Sequence, residues 1–145
     1  MDAKIDVPRW ENGENREIVL VSSRWSKDNV MCCEWHTQVS YVPERYGIFI
    51  SKRRFTHDLI KESGVFAVNF LPHKYSDKVL ECGRCTGRDV GDKFASVGLG
   101  KEEAETINCP VVEESSFYLE CKVWKTVDVG SHTLFVGDIL KKVRR

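Results

Sequence analysis

The stretch Ser51-Lys-Arg-Arg-Phe-Thr56 carries the densest chemistry in the sequence. Three cations stand between two hydroxyls, and a short apolar face at Leu59 and Ile60 follows before Gly64. A helix start offers unpaired backbone N–H groups and the positive end of the helix dipole, so Lys52, Arg53 and Arg54 beside Ser51 and Thr56 meet the needs of a phosphomonoester. The same stretch also reads as a solvated basic turn with Thr56 as an ordinary N-cap. A second candidate is Cys82-x-x-Cys85, a spacing that suits a redox dithiol or half of a zinc site. No second pair of that spacing occurs, and Cys109, Cys121 or His132 would have to complete a metal site from scattered positions. The pair also follows a helical pattern and opens a Gly-rich loop, unlike a thioredoxin-type motif. Cys32 and Cys33 are adjacent on a predicted strand and point to opposite faces, as packing residues do. His36, His57, His73 and His132 show no two-His ligand spacing and read as structural; nucleophile-elbow and P-loop patterns are absent.

The elements that must position these groups are mostly strands. Ile18 to Val21 is a short buried-looking run that ends at Ser22-Ser23-Arg24, and Asn29 to Tyr41 is rich in β-branched, aromatic and Cys residues. Pro43 and Gly47 punctuate before a third strand at Ile48 to Ile50, after which the basic loop leads into a helix that Gly64 ends at C′. Val65 to Leu71 predicts another strand, His73 to Leu80 has near-helical spacing, and Asp92 to Val97 a single helical turn. Phe117, Leu119, Cys121 and Val123 alternate with Glu120, Lys122 and Trp124, the pattern of a half-buried antiparallel strand whose hairpin partner is His132 to Leu140. Strands joined by short turns, with two or three short helices, predict a mainly β protein built as an antiparallel barrel or sandwich.

Composition sets the outer limits. The 145 residues are 41% apolar and 30% charged, enough for one domain with a real core and no low-complexity segment. Lys plus Arg and Asp plus Glu both total 22, so no net field exists to hold nucleic acid without sequence specificity, and any anion must be met locally. The longest apolar run is four residues, far short of the roughly 20 that a membrane span requires. Met1 to Asn15 is acidic and polar without the basic start and apolar centre of a secretory signal, which predicts a cytoplasmic protein with mostly reduced thiols.

Several pieces recur in a meaningful order. They are Asn29-x-Met31-x-x-x-Trp35-His36-x-x-x-Ser40 with Pro43, then Ser51-x-x-Arg54-x-Thr56-x-x-Leu59-Ile60 and Gly64 to Asn69. Thr86-Gly-Arg-Asp89 with Asp92-Lys-Phe94, Leu119-Glu-Cys121, Gly130-Ser-His132 and Val136-Gly137 complete the series. This ordered series, spanning Ile18 to Ile139, resembles the flavin reductase-like family, the FMN-binding split barrels that include flavoredoxins. The resemblance implies an antiparallel six-stranded split β-barrel with a few short flanking helices, a homodimer, and FMN bound near the subunit interface. By carry-over, Ser51, Lys52, Arg54 and Thr56 hold the FMN phosphate, Asn29, Met31 and Trp35 line the isoalloxazine or ribityl portion, and Lys93, Asn69 and His132 lie near the flavin. The implied activity is transfer of electrons from NAD(P)H or a protein donor through FMN, with no side chain as nucleophile and no metal. Family members usually continue with a C-terminal segment over the flavin, whereas this sequence ends at Lys141-Lys-Val-Arg-Arg145 just after the last matching strand. That difference and the additional thiols keep a second expectation open: a non-catalytic dimeric split-barrel module with a metal- or redox-sensing Cys82/Cys85 loop.

Overall fold

Short apolar runs separated by turn residues give this chain strands in preference to long helices. The computed structural model describes residues 13–145, so the reading of Met1 to Asn15 lies mostly outside the described residues. In chain order the elements are β1 (Val19–Arg24), β2 (Asp28–Cys33), β3 (His36–Ser40), β4 (Arg45–Ser51), α1 (Phe55–Ser63) and β5 (Val65–Phe70). A 3₁₀ turn at His73–Tyr75 leads into α2 (Ser76–Cys82), then α3 (Lys93–Ser96), β6 (Lys101–Glu103), β7 (Pro110–Val112), β8 (Phe117–Asp128) and β9 (His132–Arg144).

Seven strands form one antiparallel sheet in the order β2-β1-β5-β8-β9-β4-β3, and β6 with β7 makes a separate ribbon. The expected six strands are therefore seven. The stretch read as continuous from Asn29 to Tyr41 divides, because β2 pairs with β1 while β3 pairs with β4 and the chain must turn at Glu34 and Trp35. Val21, Met31, Ile48, Ile50, Phe66, Phe70, Leu119 and Phe135 meet in one core with Ile60 of α1. β2 and β4 lie far apart in the sheet order yet feed this same cluster, so the sheet curls around it. The Phe49 N–H donates to the Trp35 carbonyl at 2.9 Å, which carries the β3–β4 pairing back to the turn that follows β2.

The outer face of β1 and β2 is covered as well. Leu20 and Val30 pack with Val79 and Cys82 of α2 and Phe94 of α3. Burial of both faces explains the unbroken apolar run in β1. It also explains why β1 continues past its expected end: Ser22 and Ser23 are buried, and Ser22 Oγ accepts a hydrogen bond from Asn69 Nδ2 at 3.0 Å.

The β8 expectation needs a correction of the same kind. Glu120 lies on the face predicted to meet water, yet it is fully buried, because its carboxylate accepts from the backbone N–H groups of Glu105 and Thr106 and from Thr106 Oγ1. β9 runs beyond Leu140 to Arg144, since its last residues pair with the start of β8. The ribbon of β6 and β7 had no signal in the sequence, as Lys101–Glu103 is exposed throughout and carries no apolar periodicity. Among the described residues no helix is long and apolar enough to cross a membrane.

Candidate functional site

The helix start predicted from Ser51 to Thr56 is present, but its boundary shifts. α1 begins at Phe55 with Arg54 as N-cap, so Thr56 is the second helical residue instead of the cap. The cause is local: the Arg54 N–H donates to the Ser51 carbonyl at 3.0 Å, closing a turn, and Thr56 Oγ1 is already taken as acceptor by Asn29 Nδ2 at 2.9 Å. Among the described residues no side chain caps the helix; the His57 N–H closes on the Arg54 carbonyl at 3.1 Å, which leaves the Phe55 and Thr56 N–H groups for an anion. At the other end Gly64 adopts φ 73° and its N–H closes on the Ile60 carbonyl at 2.8 Å, as expected of a C′ glycine.

Beside this start lies a cavity of about 240 Å³ lined by Met31, Cys32, Trp35, Ser51, Arg54 and His132. Phe49, Trp35 and His132 also line an adjoining cavity of about 280 Å³, which extends to Val129 and Ser131. Two such spaces sharing a wall are of the order of a small-molecule site, roughly 300–1,000 Å³. Trp35 is 58% exposed, and its ring centroid is 4.5 Å from that of His132 at an interplanar angle of 35°. Its backbone is fixed by Phe49 and by the Cys33 thiol, which donates to the Trp35 carbonyl at 3.4 Å. Ser131 Oγ lies 2.8 Å from His132 Nδ1, so that nitrogen is engaged and Nε2 remains for a ligand. Among the described residues the Arg54 guanidinium makes no hydrogen bond or ion pair, leaving a cation on the cavity wall.

The structure thus brings Met31, Trp35, Ser51, Arg54 and His132 to one cleft. Asn29 and Thr56 form a buried pair behind its wall, and Asn29 Oδ1 has no hydrogen-bond partner there. Lys52 turns away and pairs with Asp128 at 2.6 Å, holding that carboxyl below its ordinary range. Asn69 is not at the cavity either. Its amide is satisfied within the fold, donating to the Leu20 carbonyl and Ser22 Oγ and accepting from the Val112 N–H at 2.9 Å. Lys93 is buried at the start of α3, and its nearest charged and titratable neighbours are Cys82, Cys85, Arg54 and Cys32. Burial holds its ammonium below the ordinary lysine range, opposed by the two thiols of the C-x-x-C pair. Sequence reasoning missed Phe49, Glu34 and Ser131 as lining residues. For Phe49 the signal was present, because it faces away from the core between buried Ile48 and Ile50.

Among the described residues no group of three or more His, Cys, Asp or Glu side chains is arranged to hold a metal ion. A curled antiparallel sheet thus sets an uncapped helix start beside an open aromatic cleft. Residues 13–144 match the flavin reductase like domain, and the chain belongs to that family. It is 31% identical over 101 residues to a ferric-chelate reductase (NAD(P)H) from Archaeoglobus fulgidus, covering 70% of this chain and 59% of that protein. Flavoredoxin from Methanosarcina acetivorans superposes with a TM-score of 0.83 at 25% identity, over 98% of this chain and 75% of the other. An FMN-binding protein from Thermus thermophilus, with bound p-hydroxybenzaldehyde, gives a TM-score of 0.81 at 27% identity, over 88% and 70% of the two chains.

Proposed function

We propose that this chain binds FMN in the cleft between Trp35, His132 and the start of α1, and serves as a flavin-dependent oxidoreductase or electron carrier of the flavoredoxin type. The observation that carries the reading is the juxtaposition of an uncapped helix start, and of Arg54, unpaired among the described residues, with an open aromatic wall. Arg54, Ser51 and the Phe55 and Thr56 N–H groups at the start of α1 bind the phosphate, by charge, hydroxyl and backbone donors respectively. Trp35 packs on the ring system, and the buried Asn29 holds Thr56 in the first turn of α1 from behind the wall. FMN supplies the chemistry, accepting a hydride and releasing electrons one or two at a time. The chain's own residues position it: Ser131 sets the orientation of His132, and Phe49 with Cys33 sets that of Trp35. NAD(P)H or a protein supplies the electrons; the Archaeoglobus relative, a ferric-chelate reductase (NAD(P)H), favours the first. A homodimer belongs to this reading, with the half-exposed Trp124 and Val129 near the β8–β9 turn available to a second copy.

A visible spectrum and an FMN titration test the assignment. Wild-type protein acquires a bound-flavin spectrum, and Trp35→Ala and Thr56→Ala each weaken binding by about tenfold or more, equivalent to about 1.4 kcal/mol. A wild-type protein that takes up no FMN, or two variants that bind as it does, refutes the site. Anaerobic reduction with NADH and NADPH then separates a reductase from a carrier that is reduced only by a protein.

A further inference from the structure

The C-x-x-C pair is not used by the reading above, and the fold packs it in one cluster with Cys32, which lines that cavity. Past the end of α2 the helical turns continue: the Gly83 N–H donates to the Leu80 carbonyl and the Arg84 N–H to the Glu81 carbonyl, both at 3.0 Å. These turns carry the chain from Cys82, the last residue of α2, to Cys85 just past them, and keep both residues against the outer cluster. Both pack in the outer cluster, and Cys32 of β2 packs there with them. Cys32 Sγ lies so close to Gly83 that a Cβ on that glycine would stand 2.8 Å from the sulfur. Cys32 also lines the Trp35–Arg54 cavity. Three sulfurs therefore run from a half-exposed loop to the cavity wall, and the buried Lys93 ammonium faces them without a hydrogen-bond partner among the described residues.

We propose that Cys82 and Cys85 form a redox-active dithiol that passes electrons from an external dithiol to the flavin in the adjoining cavity. The proposal rests on the FMN reading and names the class of electron donor for that site. In the first half, a donor thiolate attacks Cys85 Sγ of the Cys82–Cys85 disulfide. The S–S bond breaks, Cys82 leaves and takes a proton, and the donor's second thiolate releases Cys85 as it closes its own disulfide. In the second half, the two S–H bonds of the pair break, the S–S bond re-forms, and two electrons with two protons pass to oxidised FMN.

The surroundings suit these roles. Cys85 is half-buried between exposed Arg84 and the loop that follows, so it is the sulfur a donor can reach, whereas Cys82 is fully buried as the resolving partner. Burial pushes the Cys82 thiol up to about 12, with Lys93 opposing. A reduced pair in which burial outweighs thiolate stabilisation is a better electron donor than one whose thiolates are strongly stabilised. The Lys93 charge favours the thiolate as it departs.

Anaerobic FMN-loaded protein is mixed with dithiothreitol, and the loss of flavin absorbance is followed with time. Wild type bleaches about tenfold faster than Cys85→Ser or Cys85→Ala, both of which retain bound FMN. After reoxidation by a chemical acceptor, mass spectrometry of the wild type finds the Cys82 and Cys85 peptides joined and lighter by two hydrogens. Equal bleaching rates with FMN bound in all three proteins overturn the proposal and leave the flavin reading standing. Linkage of Cys85 to Cys32 in place of Cys82 also overturns it. A wild-type protein that binds no FMN removes the flavin reading and the proposal together.

Discussion

Gly87→Ala reports on the junction that holds the proposed phosphate site in place. Gly87 belongs to the loop between α2 and α3, and its backbone lies against the Asn29 side chain behind the start of α1. A Cβ there would stand 2.1 Å from Asn29 Oδ1, 2.9 Å from Asn29 Cγ and 3.0 Å from Phe55 Cδ2. The first distance is far inside contact. Asn29 cannot move aside without releasing Thr56 Oγ1, 2.9 Å from its Nδ2, and Phe55 and Thr56 are the first two residues of α1. The backbone of Gly87 is not in the left-handed region, so the substitution tests crowding alone. Overpacking of this kind costs about 1–3 kcal/mol, and loss of the Asn29–Thr56 bond falls within that range. Gly91, four residues on in the same loop, has no atom within 4 Å of the position of a Cβ. Gly91→Ala is therefore neutral, or gains about 0.4–1 kcal/mol through the unfolded chain. Urea unfolding of the two variants without FMN measures the difference, and FMN titration shows about tenfold weaker binding for Gly87→Ala alone. If Gly87→Ala is as stable as wild type, or if Gly91→Ala is equally damaged, the loop does not pack on Asn29 as described.

Glu120→Ala strands the Glu105 and Thr106 N–H groups in the interior and lowers unfolding free energy by about 2–4 kcal/mol, readable by urea denaturation, with FMN affinity unchanged. Asn69→Ala destabilises the β1–β5–β7 junction by about 1–3 kcal/mol while the flavin titration of the folded protein keeps its wild-type midpoint; a shifted midpoint would place Asn69 at the cofactor after all. Burial, opposed by the Glu17 and Arg16 carbonyls, holds His36 below its ordinary range, so the folded state prefers the neutral ring. The unfolded chain then binds more protons as pH falls below about 6.5, and stability drops on acidification in that window. The slope of Tm against pH is shallower in His36→Gln, and identical slopes would contradict the assignment.

Local physics made much of this protein legible. The hairpin of β8 and β9 was readable from its alternation and from the Asp128-Val-Gly130 break, where the Gly130 N–H donates to Asp128 Oδ1 at 2.9 Å. The end of α1 was readable because Gly64 tolerates the left-handed conformation that closes a helix, and the short α3 from Asp92, whose carboxylate accepts from the Ala95 N–H. The ordered motif series marked the family, and the basic run before α1 marked a helix start, because residue type and spacing there constrain the local backbone.

Long-range pairing decided the rest. Which face of β8 meets water depended on a loop fifteen residues away covering Glu120, and the division of β2 from β3 depended on their pairing with different strands. Asn69 and Lys52 looked equivalent to Arg54 as polar residues in a motif, yet tertiary partners claimed the first two, while the third has none among the described residues and lines the cavity. The C-x-x-C spacing is fixed by the sequence, but the course of the sulfurs from loop to cavity exists only because β2 passes beneath α2 and brings Cys32 against Gly83. Residue spacing sets what each segment can do locally; the curl of the sheet sets which of those capacities face the same space.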